Sequence, residues 1–390
     1  MTTGPLMLAT EAHNLTSLSQ ENRTEVHVTG RLDTAGCFFI SVLPYRQAVP
    51  ALMCIFILLT IFSFLINTLT LFGLGQSEDL TWQPRFTLLK NLIWSDLVQT
   101  ATFGPAVIHS LSQRRTMSFS TWCYAQYFFG STSIFSSLVT ITCMALERYL
   151  YVCHAIHYLV ILTHMRIRRV LTLIWVYSIV VGVTNMALLH TGREEQVTGI
   201  TMGLLCEPDM MEQHMGFPRA AAIFRKVVGT FTLLLCLLVY AFSYIRMYQD
   251  ARNAVIPFNA VNGTARKTVL FYCGMLFLQL LPLLLKVISD ATWEIGGPMV
   301  VVELSPQSQE VCKVNKAPSA TAAVFHMALL ILLIVPPCIN PLVYGLRNAE
   351  MRQTLLSLFR RWKEWRGAGV RAVEPPRVGN IAHQNRAQAG

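Results

Sequence analysis

Charge is what this chain has least of. Only 13% of its 390 residues are Asp, Glu, Lys or Arg, where soluble domains carry roughly a quarter. That shortfall excludes an ordinary water-facing surface and points to lipid as the solvent. Catalytic signatures are also missing. There is no zinc-spaced His/Glu motif, nucleophile elbow or phosphate-binding glycine loop, so no enzyme is expected. Nor does the sequence repeat itself in two halves, as a secondary transporter would. No cysteine follows Cys338, so the tail offers no palmitoylation site. Residues 1–46 are polar and lack a basic start followed by an apolar core. The first apolar run is then expected to serve as its own insertion signal.

What the chain has is apolar length. Its hydrophobic share is 53%, and several runs reach the ~20 residues that cross a bilayer. Backbone groups in lipid must bond within their own segment, so these runs are expected to be helices. Spans are expected at about 49–74, 86–111, 124–146, 170–189, 227–245, 269–288 and 320–346. The fold class is therefore an all-α membrane protein, a seven-transmembrane helix bundle over 49–346 with an outer segment 1–48. The second and third spans carry Asp96 and many Ser and Thr, as segments facing a bundle interior do.

Seven spans put the two ends on opposite sides. With the N-terminus outside, the inner segments 75–85, 147–169, 246–268 and 347–390 hold 18 Lys/Arg against 7 Asp/Glu. The outer segments hold 11 against 13. The excess positive charge thus falls inside, as topology rules require. The chain's net charge of +10 is then a flank beside anionic lipid, and no nucleic-acid partner is expected. Asn14 and Asn22 open glycan acceptor patterns outside, whereas Asn262 opens one on an inner loop and should stay bare. Beyond the last span, Met351, Leu355, Leu358, Phe359 and Trp362 recur at helical spacing opposite Arg352, Arg360, Arg361 and Lys363. That pattern predicts a helix in the membrane interface over 347–366. Residues 367–390, rich in Gly, Ala, Pro and Arg, read as a disordered tail.

Several local patterns fall at matching depths. The second span carries Asn91-Leu92-Ile93-Trp94-Ser95-Asp96. The third follows Cys123 and ends in Glu147-Arg148-Tyr149. Trp175 lies in the fourth, Pro282 in the sixth, and Asn340-Pro341-Leu342-Val343-Tyr344 ends the seventh. Together, in this order, they resemble the rhodopsin-like (class A) G-protein-coupled receptors over almost the whole chain. The stretch from Met144 to Tyr149, running on to Cys153-His154-Ala155-Ile156-His157-Tyr158, is similar to the odorant (olfactory) receptor family. So is the run from Val335 to Asn348. Three positions depart from that family: one cysteine, Cys206, in the second outer loop, Ser137 in place of an acidic residue, and Gly274-Met275-Leu276 in place of Ser-His-Leu. The chain thus resembles a divergent, fish-type member. Gly130 and Ile334 stand where amine receptors carry an aspartate and opsins a retinal-binding lysine.

The resemblance implies a small extracellular ligand, an odorant, and a heterotrimeric G protein of the stimulatory kind that raises cyclic AMP. A peptide or lipid receptor is the alternative, given the long outer segments 190–226 and 289–319. It implies a G-protein switch at Glu147, Arg148, Tyr149, Asn340, Pro341 and Tyr344, with Pro282 as a kink that levers the sixth helix. It implies a ligand pocket at Gly130, Ile134, Phe135, Leu283, Leu284, Lys286, Val287 and Leu330, mostly apolar, as small-ligand pockets are. Lys286 either anchors an acidic ligand or, as favoured, snorkels to the headgroups, as do Arg225 and Lys226. Asp96, with Asn67, Ser137 and Asn340, either binds a sodium ion or forms a polar knot without one. A Cys123–Cys206 disulfide follows from the same resemblance. A second is expected between Cys37 and Cys312, which lie near the first and seventh spans on the oxidising side, the alternative being two free thiols.

Overall fold

The computed structural model describes residues 39, 43, 47–76, 83–117, 120–191, 204–206, 219–253, 274, 277, 280–282, 285, 300–304, 310–314, 320–346, 352, 353, 356, 357 and 360. Its helices are α1 (Ala48–Gln76), α2 (Pro84–Gln113), α3 (Thr121–Cys153), α4 (Ala155–Ile161), α5 (His164–Thr191), α6 (Arg219–Asn253) and α7 (Ala320–Asn340). A π-helical turn, Pro341–Leu346, continues α7. Six of the seven expected spans therefore lie on long helices; five run past the expected bounds at both ends, and the seventh is α7 with its π-helical turn, over the expected 320–346. Of the sixth, only Gly274, Phe277, Leu280, Leu281, Pro282 and Leu285 are described, all helical.

Burial runs opposite to that of a soluble helix. On α1, Leu58, Ile61, Leu65, Leu69 and Phe72 are exposed, while Ser63, Asn67 and Thr70 are buried. Apolar side chains outside and polar ones inside are what a bundle in lipid requires. Four helices among the described residues are long and apolar enough to cross a membrane: α1, α3, α5 and α6. α2 falls short because it carries Asn91, Ser95, Asp96, Gln99 and Thr100, all buried. α3 is central, packing against α2, α5 and α6, while α7 closes the bundle against α1 and α2.

The ends of α2 follow from local chemistry. Pro84 opens it, where a missing amide hydrogen costs nothing. It closes with Arg114 at φ 51°, in the left-handed region. There the amide of Arg115 bonds Ser110 O and that of Arg114 bonds Leu111 O, a Schellman closure. Two features were not anticipated. The short helix α4 lies between the third and fourth spans. The segment between the sixth and seventh spans holds an antiparallel hairpin, β1 (Val300–Leu304) with β2 (Glu310–Val314), a small β addition to the all-α fold expected. Past the last span, Arg352, Gln353, Leu356, Ser357 and Arg360 are helical and exposed. The apolar set expected opposite them lies outside the described residues.

Candidate functional site

Prolines create the bundle's central polar contacts. Pro337 and Pro341 have no amide hydrogen, so the carbonyls four residues earlier, Leu333 and Pro337, lose their helical donors. Side chains from other helices take over. Gln99 Nε2 donates to Leu333 O at 2.7 Å and Asn67 Nδ2 to Pro337 O at 2.8 Å. α1 and α2 are thereby tied to the stretch where α7 is weakest. Further bonds extend the cluster: Ser63 Oγ to Thr100 Oγ1 at 2.8 Å, Asn91 Nδ2 to Thr140 Oγ1 at 2.8 Å and Trp175 Nε1 to Asn91 Oδ1 at 2.7 Å.

Asp96 stands in the middle, 1% exposed. Ser137 Oγ donates to its Oδ1 at 3.2 Å and Asn340 Nδ2 to its Oδ2 at 3.0 Å. Three residues placed together by resemblance are thus brought together in space. Asn67 joins the same cluster, but its Oδ1 is buried without a hydrogen-bond partner.

At the inner end of α3, Glu147 is buried and shared. Tyr158 Oη, carried on α4, donates to Glu147 Oε1 at 2.7 Å. Arg148 Nε lies 3.9 Å from Glu147 Oε2, with the arginine side chain one-third exposed. Burial first, and then the hydrogen bond to Glu147, push the Tyr158 phenol above its ordinary range. It therefore stays a donor throughout the physiological range. Tyr149 packs edge-on against His154 and Phe242, joining α3 to α6. Tyr158 had a place in the sequence motif but no assigned role; only the fold of α4 shows that its hydroxyl reaches Glu147. Phe in its place removes a hydrogen bond to a carboxylate, an interaction worth about 1.5–3 kcal/mol. If the G-protein switch that the sequence resemblance implies includes this contact, Tyr158→Phe raises ligand-independent signalling severalfold at matched surface expression. A cyclic-AMP reporter would read this, and unchanged basal output would remove Tyr158 from that switch.

The outer half is apolar. Cys123 and Cys206 form a disulfide, with 5.4 Å between their Cα atoms. It anchors Leu204 and Leu205, both buried in one cluster with Val107, Leu189, Leu330 and Ile334. Ser110 Oγ donates to Leu204 O at 3.0 Å and fixes this loop from α2. Of the expected pocket, Gly130 and Leu330 are buried and Ile134 is half-buried. Phe135 packs edge-on against Tyr177 of α5, and Tyr177 Oη is hydrogen-bonded to Thr232 Oγ1 of α6. Lys226 is exposed and Arg225 half-buried. The side chains of Leu283, Leu284, Lys286, Val287 and Tyr344 lie outside the described residues, as do Asn14, Asn22 and Cys37. The backbone of Cys312 sits on β2 opposite Val302. Pro341 is buried at the start of the π-helical turn, next to Asn340.

Helices with exposed apolar faces, a buried Asp96 bonded to Ser137 and Asn340, and a shared Glu147 beside Arg148 describe a membrane bundle with a polar interior. The sequence profile of the seven-transmembrane receptors of the rhodopsin family matches residues 66–344. The chain belongs to this family, and it is a multi-pass membrane protein, not an enzyme. Its similarity to individual relatives is lower and extends over most of its length. It is 23% identical to human olfactory receptor 1P1 over 80% of this chain and 87% of that receptor. It is 25% identical to human olfactory receptor 14A16 over 70% and 79%, respectively, and 23% identical to human olfactory receptor 6J1 over 87% and 90%.

Proposed function

We propose that this protein is an odorant-type receptor of the plasma membrane. It binds a small, mainly apolar extracellular ligand and activates a heterotrimeric G protein, of the stimulatory kind that raises cyclic AMP. The observation that carries this reading is the inner cluster of Glu147, Arg148 and Tyr158, with a partly exposed arginine beside a buried, shared carboxylate. Similarity to human olfactory receptors supports the ligand class. The N-terminus lies outside, supported by the charge excess of the segments placed inside. A cyclic-AMP reporter in cells displaying the receptor, tested with a panel of volatiles and amino acids, should give a saturable rise for a small apolar compound. The hairpin β1–β2 in the segment between the sixth and seventh spans favours one second reading, a receptor for a peptide or lipid. Response to peptides or lipids alone would decide for it.

A sodium ion fits the Asp96 cluster. Asp96 and Ser137 offer hard oxygen ligands and Asn67 Oδ1 is an unsatisfied buried acceptor, a donor set that suits such a cation. Its charge would offset that of the Asp96 carboxylate and favour the resting packing. Replacing sodium with a large organic cation should then raise basal signalling in wild type and leave Asp96→Asn unchanged. Equal sodium dependence in both would reject the ion.

A further inference from the structure

The outer end of α3 holds a polar group with nothing to bond. Gln126 is 2% exposed, yet neither its Nε2 nor its Oε1 has a hydrogen-bond partner. A buried amide in this state is rare in folded proteins. Its direction follows from the helix. Positions 126, 130, 133 and 137 repeat at spacings of four, three and four, so they share one face. On that face Ser137 reaches Asp96 of α2. Gly130 meets Phe103 of α2, whose ring tip lies 2.5 Å from where a Cβ on Gly130 would stand. The antiparallel register running through Asp96–Ser137 and Phe103–Gly130 brings Gln126 opposite Val107. Val107 is buried and offers no side-chain hydrogen bond.

The neighbouring pair supplies the second half of a site. Gly130 has no side chain, and the half-buried ring of Phe103 fills that notch. One helical turn outward, about 6 Å along the axis, stands the Gln126 amide. An aromatic floor and an unpaired amide thus lie at successive levels between α2 and α3, within the apolar outer cluster that includes Leu204 and Leu330.

We propose that Gln126 and Phe103 form a ligand subsite for a neutral head group that both donates and accepts a hydrogen bond, such as an alcohol or a primary carboxamide. The amide's Oε1 takes the ligand's hydrogen and its Nε2 donates to the ligand's oxygen. The alkyl part lies on the Phe103 ring. A neutral amide cannot balance a full charge, so ammonium and carboxylate ligands are disfavoured. The inference rests on the receptor reading and names the ligand class for it.

The test uses the full chain, purified in detergent. Its unfolding midpoint is followed by intrinsic tryptophan fluorescence against increasing 1-hexanol, hexanamide, hexanal, hexanoate and hexylamine. Effects on the micelle are common to all variants, so the comparison is between proteins. In wild type, 1-hexanol and hexanamide should act at roughly tenfold lower concentration than hexanal, about the worth of one good hydrogen bond. Gln126→Leu should erase that gap. Gly130→Ala drives a methyl into the Phe103 ring and should weaken every member without changing their order. An unchanged order in Gln126→Leu would overturn the proposal, as would a preference for hexanoate or hexylamine. Absence of any shift in wild type would also overturn it. The readout involves no G protein, so loss of cyclic-AMP signalling with this ranking intact would strike the receptor reading instead.

Discussion

Replacing Arg148 by alanine is expected to reduce signalling to the level of untransfected cells while leaving the receptor at the surface. The two halves of that expectation have different physical grounds. The arginine side chain is one-third exposed and its Nε stands 3.9 Å from Glu147, a long contact. A partly exposed pair of this kind contributes about 0–1 kcal/mol, so its loss does not unfold the bundle. Glu147 keeps its hydrogen bond from Tyr158 when the arginine is gone. Signalling is another matter. A partly exposed cation at the inner end of the central helix is available to a partner once the helices packed around it move apart, and α3 carries no other Lys or Arg. A full cyclic-AMP response at matched surface expression would remove Arg148 from the switch. Loss of both signal and surface receptor would show that the residue is structural. Paired with Tyr158→Phe, the variant makes a diagnostic contrast: the first silences the receptor and the second raises its basal output.

The second large effect is expected at the other face. Cys123→Ser should leave most of the receptor misfolded inside the cell, and Cys206→Ser should do the same. The disulfide spans 83 residues of sequence. Cross-links closing long loops stabilise by about 2–5 kcal/mol, against a total stability of about 5–15 kcal/mol for a folded protein. Here the bond also holds Leu204 and Leu205 within the outer cluster. Without it, the hydrogen bond from Ser110 Oγ to Leu204 O is a weaker tie than the covalent one. The measurement is surface receptor by antibody on intact cells, with total receptor as the reference. The double variant should be no worse than either single one, because both remove the same bond. Near-normal surface levels for either single variant would mean that the loop packs without the cross-link.

The spans were legible in the sequence because lipid imposes a length and an apolar composition on each. The polar interior of α2 and α3 was legible for the same reason, since a charged Asp96 among many Ser and Thr is costly against lipid. The spacing of Pro337 and Pro341 also held a signal that went unused. Each proline orphans a carbonyl four residues back, and Gln99 and Asn67 were the amides able to answer it. What could not be read depends on register between distant segments. That Tyr158 reaches Glu147 follows from how α4 folds back beneath α3. That Phe103 fills the notch at Gly130 follows from the antiparallel offset of α2 and α3, which no local pattern encodes. Phe135, grouped with the pocket residues from its position, also packs on Tyr177 because α3 is covered by α5 on that side. The hairpin was discernible in part: Val300–Leu304 is rich in β-branched residues and Glu310–Val314 carries two valines.

The proposed function requires two faces of opposite role, a ligand face outside and a signalling face inside. Epitope tags at the N-terminus and in the tail, stained on intact and then permeabilised cells, test it most directly. The account predicts that the N-terminal tag is reached on intact cells and the tail tag only after permeabilisation. A tail tag reached on intact cells, with the N-terminal tag hidden, would invert the charge assignment and contradict the placement of Arg148 on the G-protein side.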